Sequence, residues 1–178
     1  MQYAFAGRRP RVDESAFVSE QAILIGDVEV GPRCFIGPNA IIRADAARIC
    51  IGAETAVEEG VIIHAGGGGC TESVIGRRVT IGHGAIVHSR TIADAACIGM
   101  GAIISLNAEI GEYAVVAEGA VVIQKQIVPA RVIVGGMPAK ALRALTSGDI
   151  QIWDGTKDWY VKLAAMYCNP EIYTAADR

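Results

Sequence analysis

An aliphatic residue returns at every sixth position through most of this chain, and no other feature limits its folding choices as much. The series runs Val18, Leu24, Val30, Ile36 and Ile42, then Ile51, Val57 and Ile63, then Ile75, Ile81 and Val87. After a five-residue step it resumes at Ile92, Ile98, Ile104, Ile110, Val116 and Val122. A period of six fits neither the 3.6-residue turn of a helix nor the simple alternation of a strand. It fits a short strand and a corner, repeated, three such units closing one turn of a triangular coil. Small residues sit about four places after many of the anchors, at Ala22, Val28, Cys34, Ala40, Thr55, Val61, Val79, Ala85, Cys97, Ala102, Ala108, Ala114 and Ala120, while stacked aliphatics are expected to fill the interior. Gly31, Gly37, Gly52, Gly76, Gly82, Gly99 and Gly111 follow anchors directly, and the corners are expected to take glycine or small residues. The reading is all-β, a parallel β-helix over residues 1–140 with a C-terminal helical extension over 141–178.

Composition agrees with narrow aliphatic layers: 52% of the 178 residues are hydrophobic, only 6% are aromatic, and 21 are glycine. This length suits one core. A net charge of −3 with scattered Lys and Arg offers no basic stripe, which excludes nucleic acid and anionic membranes as expected partners. No apolar run is long enough to span a membrane, and residues 1–10 do not have the form of a secretory signal, so the expected location is cytoplasmic. Cys34, Cys50, Cys70, Cys97 and Cys168 are odd in number and contain no Cys-x-x-Cys pair, which speaks for a reducing compartment.

Three extra residues intrude between Ile42 and Ile51. Between Ile63 and Ile75 the segment Ala65-Gly66-Gly67-Gly68-Gly69-Cys70-Thr71-Glu72-Ser73 lacks the anchor pattern and reads as a flexible loop. Beyond Gly135-Gly136-Met137-Pro138-Ala139-Lys140 the repeat stops. Trp159, Leu163, Met166 and Tyr167 then share one face of a helix expected from about Thr156 to Cys168, packed back on the coil or on a neighbouring subunit.

All the histidines, His64, His83 and His88, fall inside one stretch of 25 residues, and neutral imidazole is a common ligand for zinc-like metals. His64 and His83 are 19 apart, close to one turn of about 18 residues, so the spacing predicts that they project from one side on adjacent levels. His88 lies one hexad further round. One prism would not gather all three, whereas prisms standing side by side in a trimer would.

Arg43-Ala44-Asp45, Ile51-Gly52-x-x-Thr55, Ile62-Ile63-His64, Val79-Thr80-Ile81-Gly82-His83-Gly84-Ala85, His88, Ile98-Gly99-Met100-Gly101-Ala102 and Gly135-Gly136-Met137-Pro138-Ala139-Lys140 together resemble the γ-class carbonic anhydrase family of hexapeptide-repeat proteins. The likeness runs from about Phe17 to Lys140 and continues weakly into Tyr160-Val161-Lys162-Leu163. It implies a left-handed coil and a homotrimer with a divalent metal, zinc foremost, iron or cobalt otherwise, between subunits. His64 and His88 would come from one subunit and His83 from its neighbour, and Arg43 and Asp45 would hold the trimer together. The implied chemistry is attack of a metal-bound hydroxide on CO2 to give bicarbonate. The chain departs from the family where Asn-x-Gln-Asp is replaced by Ala56-Val57-Glu58-Glu59, and where Ser89-Arg90 follows His88 in place of Gly-Cys. Glu58 and Glu59 become candidates for general-base work, with Tyr160 as a further catalytic candidate. An acyl-CoA thioesterase, an acyltransferase with a histidine base, and a metal-binding homologue with little hydratase activity stay open as alternatives, as does a small-molecule substrate of another kind.

Overall fold

Most anchors of the hexad series lie in short strands of two to four residues and turn inward, while Leu24 and Ile42 sit near the starts of the longer strands Ile23–Val30 and Ile41–Ile51. Leu24, Ile36, Ile42, Val57, Ile63, Ile81, Val87 and Ile104 are all fully buried. Parallel pairing stacks them one turn apart, Ile63 beside Val87, Val87 beside Ile104, and Ile104 beside Val122. In a computed structural model describing residues 1–66, 69 and 72–174, the chain is a left-handed parallel β-helix of about seven turns with one C-terminal helix. The aliphatic ladder runs two steps beyond Val122, through Val128 and Val134, both buried.

The coil has three faces. Ile62–His64, Ile86–Val87, Ile103–Ile104 and Val121–Val122 lie on the first. Glu72–Ile75, Thr91–Ile92, Glu109–Ile110 and Ile127–Val128 lie on the second. The third carries Phe17–Val18, Phe35–Ile36, Ala56–Val57, Thr80–Ile81, Cys97–Ile98, Val115–Val116 and Val132–Gly135, the last of which pairs antiparallel with Lys140–Ala144. The three extra residues after Ile42 do not loop out. Ile41–Ile51 is one long strand that pairs with Ile62–His64 through its first part and with Glu72–Ile75 through its second, joining two faces. Ala44 and Ala47 turn inward there, so the insertion is absorbed by the core. Of the expected glycine loop, Gly67, Gly68, Cys70 and Thr71 lie outside the described residues; Gly66 packs against Ala46.

Two expectations about small residues need correction. Left-handed corner positions are held not only by glycine but by Arg33, Asn39, Glu54, Arg78, Ala95, Asn107, Tyr113, Lys125 and Arg131, with φ between 53° and 62°. Such a residue costs roughly 1–2 kcal/mol, a penalty the continuous ladder of inter-turn hydrogen bonds and buried anchors offsets. Cys97 does not belong to the series of small residues after the anchors. Ala96 occupies that place, and Cys97 sits on the third face.

The helix spans Ser147–Cys168, about two turns longer at its start than the apolar spacing suggested. Gly148 and Gly155 weaken the pattern there, but a capping box starts the helix: the Thr146 hydroxyl accepts from the Asp149 N–H, and the Asp149 carboxyl accepts from the Thr146 N–H. The buried face is Lys157, Tyr160, Leu163, Ala164 and Tyr167, set against Phe17, Phe35 and Ala56. Trp159 and Met166, expected inward, are exposed. Phe35 lies 5.5 Å from Tyr160 and Phe17 lies 4.7 Å from Tyr167, ring centre to ring centre, so aromatic packing fixes where the helix lands. Among the described residues no helix is long and apolar enough to cross a membrane.

Thr146→Ala is expected to cost about 1 kcal/mol of thermal or denaturant stability. Hydrogen bonds from Arg143 and then Thr146 hold the Asp149 carboxyl well below the ordinary carboxylate range. Its contribution is therefore present above the ordinary carboxylate pKa and is lost as pH falls toward the depressed one. The cost of Thr146→Ala should persist at neutral pH and shrink in strong acid; a cost unchanged by acid would remove Asp149 from the cap.

Candidate metal centre

His64 ends a strand of the first face, and His88 follows the strand directly beside it, because Ile62 pairs with Ile86 and Ile63 with Val87. The two rings stack with centroids 4.6 Å apart and planes at 27°. Nδ1 of His64 and Nε2 of His88 face each other at hydrogen-bonding range. The level-mate of His64 is thus His88, not His83 as the 19-residue spacing suggested. The segment between Ile63 and Ile75 lengthens that turn, and the arithmetic of an even coil slips by a corner.

Behind His64 stands Asp45, whose Oδ1 is 3.2 Å from Nε2. Its other oxygen accepts from Arg43 at 2.6 Å. Burial would raise the Asp45 pKa, but hydrogen bonds from Arg43 and His64 outweigh it and hold the carboxyl below its usual range. With Nε2–H of His64 donating to Asp45, Nδ1 presents its lone pair toward His88. Burial, then the nearby charges of His64 and Arg43, push the His88 pKa down, favouring the neutral form that a metal ligand must adopt. This donor set fits a borderline cation such as zinc or iron.

His83 lies elsewhere, in the turn between Thr80–Ile81 and Ile86–Val87, at the corner between the third and first faces. Its Nε2 is 3.0 Å from Glu58 and its Nδ1 is 2.6 Å from Glu59, both carboxyls coming from the turn one level away. Its backbone N–H also donates to Glu58 at 3.1 Å. Glu58 is only 6% exposed, whereas Glu59 and His83 reach solvent. The Tyr160 phenol bonds to Glu58, and burial, followed by that contact, raises its pKa well above the ordinary phenol value. The helix thus delivers Tyr160 to the Glu58 side of the corner.

The sequence-expected residues therefore form two groups within one chain: His64, His88, Asp45 and Arg43 on the first face, and His83, Glu58, Glu59 and Tyr160 at the corner. Among the described residues no three His, Cys, Asp or Glu side chains of one chain are placed to hold a metal ion. Arg90 reaches Glu109 at 3.5 Å on the exposed surface. The bracing of His64 by Asp45 was not anticipated; the clue was the parallel register that sets Arg43 beside His64.

Such a coil defines a hexapeptide-repeat protein, and the comparisons agree. No family model matches the chain. The hexapeptide transferase family protein of Anaplasma phagocytophilum, a crystal structure, superposes with a TM-score of 0.88 at 32% identity, covering 93% of this chain and 97% of that one. Gamma carbonic anhydrase 2, mitochondrial, of Arabidopsis thaliana is 32% identical over 166 residues, 91% of this chain and 60% of that protein. Carnitine operon protein CaiE of Shigella flexneri is 38% identical over 149 residues, 83% of this chain and 74% of that protein. The chain belongs to the γ-carbonic anhydrase-like family of hexapeptide-repeat proteins.

Proposed function

We propose that the protein is a divalent-metal enzyme of carbonic anhydrase type that works as a homotrimer, with His64 and His88 of one subunit and His83 of the next forming each metal site. The observation that carries this reading is that Nδ1 of His64 and Nε2 of His88 face each other, with Asp45 braced behind His64. Beside these histidines the first face exposes Ile62, Ile86 and Ile103 in a ladder, an aliphatic strip suited to a second copy of the coil. His83 is half exposed at the adjacent corner, within reach of a neighbour once one of its carboxyl contacts is released. A cation held there supplies Lewis acidity that activates water toward an electrophilic carbon such as that of CO2. In that scheme Glu58, fixed by the His83 N–H and by Tyr160, orients His83, and the solvent-facing Glu59 carries protons to bulk water.

CO2 hydration by anaerobically purified, metal-reconstituted protein tests the proposal. Hydration that depends on metal and disappears with chelation is expected; metal-replete protein without hydration overturns it. Glu59→Gln should slow turnover by about 100-fold, with recovery in imidazole buffer. No recovery would assign Glu59 a positioning role.

A second reading rests on His83 itself. An imidazole held between Glu58 and Glu59 has the geometry of a general base, and the Anaplasma relative carries the name of a transferase family. Acyl transfer from a thioester would then need His83 but neither His64 nor His88. Acetyl-CoA consumption that survives His64→Ala and His88→Ala but not His83→Ala would select it.

A further inference from the structure

Lys157 is 1% exposed, on the helix face that meets the third face of the coil. A buried ammonium costs several kcal/mol unless paired, yet its Nζ meets the Cys97 sulfur at 2.8 Å and the Trp153 ring centre at 5.6 Å. Cys97 is equally buried. A thiol is a weak acceptor, and 2.8 Å is as short as an N–H···O bond although sulfur is the larger atom. The neighbouring Asp154 leaves Oδ1 buried without a hydrogen-bond partner. Neither residue touches the histidines or takes part in the chemistry above.

We propose that Cys97 and Lys157 are a modification site at which oxidation by a peroxide forms a covalent N–O–S bridge between the coil and the helix. The first peroxide converts the thiol to a sulfenic acid: the S–H and O–O bonds break, an S–O bond forms, and one water leaves. Lys157, having given up its ammonium proton to water, then loses one N–H hydrogen and the sulfenic acid its O–H hydrogen as the N–O bond forms. The two electrons released reduce a second peroxide to two waters. Thiol, amine and two peroxides thus give the bridge and three waters. The existing separation admits one oxygen between nitrogen and sulfur with little movement, and the product removes the charge of a buried lysine. The bridge closes a loop of 60 residues and clamps the helix one turn before Tyr160.

Full-length protein treated with hydrogen peroxide, digested without reductant and mapped by mass spectrometry tests this. The expected product is one linked peptide pair joining Cys97 to Lys157, heavier than the two peptides by one oxygen less two hydrogens, and released by a thiol reductant. It should be absent from Cys97→Ser and Lys157→Met, and oxidised wild type should melt several degrees above reduced. Cys97 that remains fully alkylatable after peroxide and unfolding overturns the proposal. So does Cys97 found as a sulfinic acid, in a disulfide with another cysteine, or joined to Lys157 without the oxygen. Because the wild-type map decides the matter alone, a variant that fails to fold does not.

Discussion

His88→Ala is expected to strip the protein of divalent metal. Protein purified without chelators should carry near-stoichiometric metal in wild type and background levels in the variant, measured by elemental analysis. The reason is the shared role of the imidazoles: each supplies one of few strong donors, and loss of one leaves a coordination sphere open to water. Removing an outer partner of a ligand typically costs about 10–100-fold in affinity. Loss of a ligand exceeds this. Asp45→Asn supplies the graded control, since it keeps the side-chain shape but removes the charge that holds the His64 Nε2–H at 3.2 Å; about 10-fold weaker binding is expected. Both variants should keep the wild-type circular dichroism, because neither residue is part of the aliphatic ladder. Wild-type metal content in His88→Ala would refute the paired-imidazole site. A drop that accompanies unfolding would instead be repeated by any destabilising change in the coil.

Gly99→Ala should cost roughly 3 kcal/mol, which for a chain of this size lowers the melting temperature by about 10 °C. The φ of Gly99 is not at issue. An added Cβ would stand 2.5 Å from the Glu118 nitrogen, 2.7 Å from the Ala117 carbonyl carbon and 2.8 Å from the Val116 oxygen, all backbone atoms of the next turn. None can withdraw without breaking the ladder, in which the Gly99 N–H donates to Val116 at 2.8 Å. Gly101 separates steric from conformational cost: its φ is +66° and nothing lies within 4 Å of an added Cβ. Gly101→Ala should therefore cost only about 1 kcal/mol of left-handed strain. Equal losses by thermal denaturation would mean that inter-turn contact does not restrict the glycine after the anchor.

Gly99 and Gly101 separate what the repeat pattern carries from what the packed coil adds. The residue after an anchor was recognisable as glycine, but assigned to corner flexibility; at Gly99 the cause is the backbone of the next turn. The helix was legible from Leu163 and Tyr167, whereas its first two turns were hidden by Gly148 and Gly155. Trp159 and Met166 were placed on the wrong side because helical spacing alone does not say which stripe meets the coil. The aromatic rings of Phe17 and Phe35 make that choice, and they select Tyr160 and Tyr167. Nothing in the sequence marks Lys157 as buried, since a lysine in a helix ordinarily faces water.

By itself the sequence determined the coil: a six-residue aliphatic period admits few other ways to bury Ile36, Ile63, Ile81 and Ile104, and local periodicity survives any uncertainty about neighbours. It also singled out the histidines. Their pairing was decided only by tertiary structure, because register in a solenoid depends on the length of every preceding turn. The segment after His64 shifts that register, setting His64 beside His88 and sending His83 to a corner with Glu58 and Glu59.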